Sequence, residues 1–173
     1  MLYPTPTDDG NVCIKSTFPA VELRALPYNR PEGLPRITSA AAAVDFLSDW
    51  LSGCTVEHMV LLCLDREFRP ICFSPLAKGN PTRADFAISD TLRTCLLARS
   101  DRCMVLHNHP LGAAQPSAQD IEVAKHLHQS MWDCGILLLD FAIVAGVDAD
   151  DQSRYSMFDA RVGPYTHVGQ TRP

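Results

Sequence analysis

The sequence lacks a membrane span. Its apolar runs, such as Ile136 to Leu139 and Phe141 to Gly146, fall far short of the ~20 residues a helix needs to cross a bilayer. It also lacks a surplus of positive charge, with 15 basic residues against 20 acidic ones and a net charge of −5. Affinity for phosphate backbones comes largely from counterion release by a positive face, so strong direct nucleic-acid binding is disfavoured. Arg93, Arg99 and Arg102 lie close together and read as solvated charges on a helix and the turn after it. The opening segment, Met1 to Asp9, has neither a basic n-region nor an apolar h-region, which argues against a secretory signal. Missing too is any Cys-x-x-Cys pair: the seven cysteines stand at 13, 54, 63, 72, 95, 103 and 134. Cys63, Cys72, Cys95 and Cys103 sit in apolar segments, where free cysteine behaves as a small hydrophobe. Reduced core thiols fit a cytoplasmic compartment.

What is present is enough for one domain: 173 residues, 46% of them hydrophobic. Pro4, Pro6, Pro19, Pro27, Pro31 and Pro35 make residues 1–36 a loosely ordered arm, with a strand near Val12 to Phe18. Thr38-Ser39 offers a helix cap, followed by Ala43, Leu47, Trp50 and Leu51 at helical spacing, with Gly53 as the stop. Val56 to Leu64 is apolar enough for a central strand, and Asp65-Arg66-Glu67 turns the chain into a shorter return strand, Arg69 to Phe73. Between Thr82 and Ala98, the positions of Ile88, Thr91, Leu92, Cys95 and Leu96 predict an amphipathic helix with one buried stripe. Cys103 to Leu106 is a short buried strand that runs into His107-Asn108-His109-Pro110. A helix opened by Ser117 carries Ile121, Ala124, Leu127 and Met131 on one side and stops at Gly135. Ile136 to Ala145 is a second long apolar strand, with Tyr155 to Phe158 as its hairpin partner and a frayed tail from Gly163. The order α-β-β-α-β-α-β-β predicts a sheet with helices packed on it.

The chemistry gathers at His107-x-His109 and, ten residues later, Asp120. Two histidines at a strand end can turn toward one point as Pro110 bends the chain away. An acid in the first turn of the next helix can reach back toward them. Two imidazoles, one carboxylate and a water make an open tetrahedral zinc site. Against this stands a plainer reading, in which Ser117 to Asp120 is only a capping box and the histidines only a polar rim; the joint spacing favours the site. The string His-Asn-His is not the nuclease motif of that name, whose letters spread over a much longer ββα unit.

His107-x-His109-Pro110, Ser117 and Asp120 match the His-x-His-x(7)-Ser-x(2)-Asp signature of the JAB/MPN+ (JAMM) metalloproteases. The text from Val105 to Ile121 most resembles the bacterial RadC branch, as do Val56 to Asp65 upstream and Leu138 to Gly146 with Arg154 to Phe158 downstream. The resemblance covers roughly Ile37 to Asp159. It implies a single α/β JAB domain at residues 37–160, a curved mixed sheet flanked by helices, with a C-terminal tail at 161–173. It further implies one zinc ion held by His107, His109 and Asp120, with Glu57 as the acid that deprotonates the water and Ser117 helping the oxyanion. The activity implied is zinc-dependent hydrolysis of peptide or isopeptide amides in a protein substrate.

Two departures qualify the resemblance. Full-length RadC-like proteins usually carry an N-terminal helix-hairpin-helix region, which the Pro-rich arm does not match. The family also tends to have histidine where Phe141 stands. An alternative of a different class is a JAB-fold binding module with little or no hydrolysis, linked to DNA repair or mobile-element processes. His58, His126, His128 and His167 match no ligand position and are expected at the surface.

Overall fold

In the computed structural model the described residues are 34–52, 54–78, 88–146 and 153–166, together with the backbone of three short strands at 5–6, 12–15 and 22–25. Those strands, β1 (Thr5–Pro6), β2 (Val12–Lys15) and β3 (Glu22–Ala25), pair in an antiparallel meander. The expected strand near Val12 is therefore present. It is joined by two more, so that this arm extends the main sheet through β3 rather than lying apart from it.

Ser39 caps α1 (Ala40–Phe46) by accepting from the Ala42 N–H, as its side chain and extended backbone allow. The predicted single helix is divided at Leu47, whose φ of −103° and ψ of 10° leave the helical region, before α2 (Ser48–Ser52). The break still lets both Leu47 and Leu51 bury. Gly53 lies outside the described residues. β4 (His58–Leu64) begins two residues later than predicted, leaving Glu57 just before it. Asp65 shapes the turn by accepting from the Glu67 and Arg69 N–H groups.

The return strand is longer than predicted: β5 (Pro70–Lys78) opens on one proline and continues past a second, Pro75. Pro75 is accommodated at a register shift between Met59 and Val60, and it lies beyond Cys72 and Phe73, where β3 pairs. Of the next predicted helix, α3 (Ile88–Leu97) is described. Thr91 and Cys95 are buried as expected, but Leu96 is 58% exposed and falls off the stripe. Arg93 pairs with Asp90 at the surface, whereas Arg102 stacks on the Phe68 ring 4.5 Å away and is no simple solvated charge.

β6 (Arg102–His109) includes both histidines of the motif. α4 (Ala118–Asp133) buries Ala124, Leu127 and Met131, with Ile121 packed against the same cluster, and ends before Gly135, whose φ of +82° suits glycine. β7 (Leu137–Ala145) pairs parallel with β6, and β8 (Ser153–Ser156) pairs antiparallel with β7, two residues earlier than predicted. Residues 147–152, between β7 and β8, lie outside the described residues. The expected fraying from Gly163 is not seen at its start. Gly163–Tyr165 forms a 3-10 turn, and buried Tyr165 donates to the Leu138 carbonyl.

The sheet runs β1-β2-β3-β5-β4-β6-β7-β8, and β4 to β8 form a five-stranded mixed sheet of a single α/β domain, as the resemblance implies. Because neighbouring residues of a strand face opposite ways, β4 feeds two cores. Met59, Leu61 and Cys63 join Cys103, Val105, Leu127 and Met131 on the α3/α4 face. Val60, Leu62 and Leu64 join Met104, Leu106, Val44 and Leu47 on the α1/α2 face. Phe141 is fully buried in the first of these. Among the described residues no helix is long and apolar enough to cross a membrane.

Candidate metal centre

The alternation that divides the core also aims the polar groups. Following Met59 and Leu61 back along β4, Glu57 has the parity of the α3/α4 face, and His107 and His109 continue Cys103 and Val105 along β6 to the same face. The strands are in register here, with Met59 opposite His107. α4 starts on that face, so Asp120 in its first turn arrives beside the histidines.

Each histidine is held by its Nδ1. A carboxylate or carbonyl oxygen can only accept, so the N–H must lie on the ring nitrogen that meets it. His107 Nδ1 donates to Asp120 Oδ1 at 3.0 Å, and His109 Nδ1 donates to the Ala113 carbonyl at 3.1 Å. In the neutral form of each ring the lone pair then lies on Nε2. His107 Nε2 lies 3.4 Å from Glu57 Oε2, and His109 Nε2 lies 3.9 Å from Asp120 Oδ2. The two rings meet edge to face, 4.6 Å between centroids. Among the described residues, Glu57, His107 and His109 offer ligand atoms all within 4.8 Å of one another.

Asp120 and Ser117 form a complete capping box. Ser117 N–H and its hydroxyl both donate to Asp120 Oδ2 at 2.7 Å, while Asp120 N–H donates back to Ser117 Oγ at 3.1 Å. Burial pushes the Asp120 carboxyl up, but hydrogen bonds from His107 and from Ser117 outweigh it and hold it at about 2. The carboxylate is therefore charged at neutral pH. Capping and closeness to the histidines turn out to be compatible: one oxygen of Asp120 serves the helix terminus and the other His107.

All five residues singled out in the sequence thus meet at one place. Glu57 stands nearer the imidazoles than its expected role at the water requires, and the Ser117 hydroxyl proton is engaged by Asp120. Two of the remaining histidines depart from expectation. His58 is half-buried, its Nδ1 on the Val56 carbonyl at 2.8 Å and its ring edge-on to Trp50. Half-buried His128 stacks on Trp132 and meets Tyr165 edge to face, and burial lowers its pKa. His126 is exposed as expected, and His167 lies outside the described residues. What sequence reasoning missed was the Ala113 carbonyl behind His109, because a backbone partner leaves no mark in residue identity.

The donor set suits a divalent ion: two imidazoles anchored through Nδ1, with Nε2 turned to the same place, and two carboxylates, on a partly accessible face. Similarity to known proteins agrees with the geometry. The model of the RadC-like JAB domain matches residues 37–162. A UPF0758 protein of Acinetobacter baylyi is 35% identical over 109 residues, covering 63% of this chain and 40% of its own length. One from Acinetobacter baumannii is 32% identical over 122 residues, covering 70% of this chain and 52% of its own. Another, from Bordetella petrii, is 38% identical over 96 residues, covering 56% and 43%. The chain spans about half the length of these curated relatives or less. With the family model matching well over half of its residues, this chain belongs to the RadC-like JAB domain family.

Proposed function

We propose that the protein is a zinc-dependent hydrolase of peptide or isopeptide amides, with one ion per chain. The observation that carries this reading is the meeting of Glu57, His107 and His109 within 4.8 Å, with Asp120 in contact with both histidines. His107, His109 and Asp120 would hold the ion. When bound, zinc acidifies water and polarises a carbonyl oxygen.

The chain's own residues supply the rest. Glu57 accepts a proton at its carboxylate from the attacking water and returns it to the leaving amine nitrogen. Ser117 turns its hydroxyl from Asp120 to the oxyanion, an interaction worth a few kcal/mol when well aligned. The Ala113 carbonyl and Asp120 Oδ1 keep the two rings in the tautomer that leaves Nε2 free.

A second reading exchanges the carboxylates, Glu57 ligating and Asp120 orienting His107. The engagement of both Asp120 oxygens, by His107 and by Ser117, favours it. Buried cysteines outside any disulfide at Cys63, Cys72, Cys95 and Cys103 support a reducing, cytoplasmic setting.

The test joins elemental analysis to a panel of peptide and isopeptide conjugates assayed on the same preparation. About one zinc per chain and cleavage of a conjugate are expected. One zinc without any cleavage would turn the reading toward a binding module, and no metal at all would overturn it. A salt titration on DNA is expected to show no binding even at low salt.

A further inference from the structure

We propose that Asn108, the residue between the two histidines, is the positioning residue that aims Glu57 at the metal centre. Its side chain lies on the opposite face of β6 from His107 and His109, and it is 2% exposed. From there its amide spans the chain before β4. Oδ1 accepts from the His58 N–H at 2.6 Å, and Nδ2 donates to the Val56 carbonyl at 3.1 Å. Those two groups belong to the peptide units on either side of Glu57. Only one orientation of the amide satisfies both, since an N–H must meet an acceptor and a carbonyl a donor.

Glu57 stands just before the strand. The Asn108 amide holds the peptide units at both ends of the residue, and the His58 ring adds a further bond to the same Val56 carbonyl. Strand alternation then sends the Glu57 carboxylate through to the other face, 3.4 Å from His107 Nε2. One strand thereby supplies two imidazoles from one face and the clamp on the acid from the other. Asn108 touches neither substrate nor metal.

This inference rests on Glu57 working at the metal, as base or as ligand. The chain has five glutamates, at 22, 32, 57, 67 and 122. Carbon-13 labelling of glutamate carboxyls therefore gives few resonances, and the one lost in Glu57→Gln is assigned to Glu57. Zinc added to the wild type is expected to shift that resonance. In Asn108→Ala and Asn108→Thr, zinc still binds the histidines but the Glu57 shift largely disappears. On a cleaved conjugate, kcat falls at least ~10-fold with KM unchanged, and Asn108→Ala added to Glu57→Gln lowers it no further. A purely structural loss would lower the melting temperature without singling out Glu57. Asn108→Thr, which keeps a strand-forming residue, decides the matter if Asn108→Ala does not fold. A full Glu57 shift in a folded, zinc-loaded variant would overturn the role of Asn108 alone. A wild type that binds zinc with no Glu57 shift would overturn the reading of Glu57, and the role of Asn108 with it.

Discussion

The same face of β4 and β6 carries two clusters of metal-capable side chains, one at each end. At one end Cys63 is in register with both Cys72 and Cys103, Cys95 joins from α3, and Cys103 Sγ reaches Met131 Sδ at 3.2 Å. At the other end are Glu57, His107, His109 and Asp120. Both sets are chemistries zinc accepts, yet they differ in charge state and access. Hydrogen bonding to Cys63, then burial, drives the Cys72 thiol well above its ordinary value; Cys95 is raised by its bond to Cys103 and by burial. Protonated thiols are poor ligands and poor nucleophiles. At the histidine end the rings are anchored through Nδ1 and Asp120 is already charged. Ligand type alone does not make a site; a dry packed end of a sheet turns the same elements into core.

The largest expected effect tests whether the histidine end alone holds zinc. Replacing both His107 and His109 by alanine should take zinc from about one per chain to almost none, by elemental analysis of folded protein. If zinc stays near one per chain, the thiol end is holding it and the contrast fails.

Next comes the acid. Glu57→Gln keeps size and hydrogen bonding but cannot accept a proton. With Glu57 as the base, activity drops by at least ~10²-fold at unchanged zinc content and melting temperature. If zinc is lost together with activity, the exchanged-carboxylate reading takes its place.

How far the sequence reached follows from the reach of its signals. The α4 stripe of Ile121, Ala124, Leu127 and Met131 and the apolar runs of β4 and β7 were legible because burial imposes a period on residue type. The meeting of His107, His109 and Asp120 was legible because β6, a turn and a capped helix convert sequence distance into spatial distance. Other features depend on tertiary context. Pro75 sits within a strand because a register shift and the end of the β3 pairing relieve it, which no local rule reveals. Leu96 has a core residue's chemistry and an exposed position because the buried stripe of α3 centres on Thr91, Thr94 and Cys95. Asn108 read as the unremarked letter between two histidines, although strand alternation puts it on the other face.

Asp120 links the helix cap to the centre, so Asp120→Asn separates its duties. Asparagine caps helices about as well as aspartate. If Asp120 ligates, zinc affinity drops clearly; if it only orients His107, the drop is smaller. Acid stability gives a second measure in metal-free protein. The folded carboxyl is depressed from 3.8 to about 2. Its contribution, about 2 kcal/mol, is present above pH ~4 and is lost as pH falls through the folded value. Urea unfolding between pH 5 and pH 2 should therefore show a shallower fall in Asp120→Asn than in wild type. Parallel curves would mean that Asp120 contributes nothing through its charge.

The smallest effect belongs to the thiol end. Cys63→Ala removes one sulfur from a site with 0% exposure, between Cys72 and Cys103 on neighbouring strands. The cost is a small cavity and lost contacts, on the order of 1 kcal/mol, read from the urea midpoint. Cys63→Ser should cost more, because a hydroxyl desolvates less readily than a thiol in an apolar site. Neither change reaches the imidazoles, since Cys63 and Glu57 lie six positions apart along the chain. Zinc content and activity should therefore match the wild type in both. If Cys63→Ala loses metal while remaining folded, the sulfur cluster is coupled to the centre, and the two ends of the sheet are a single unit.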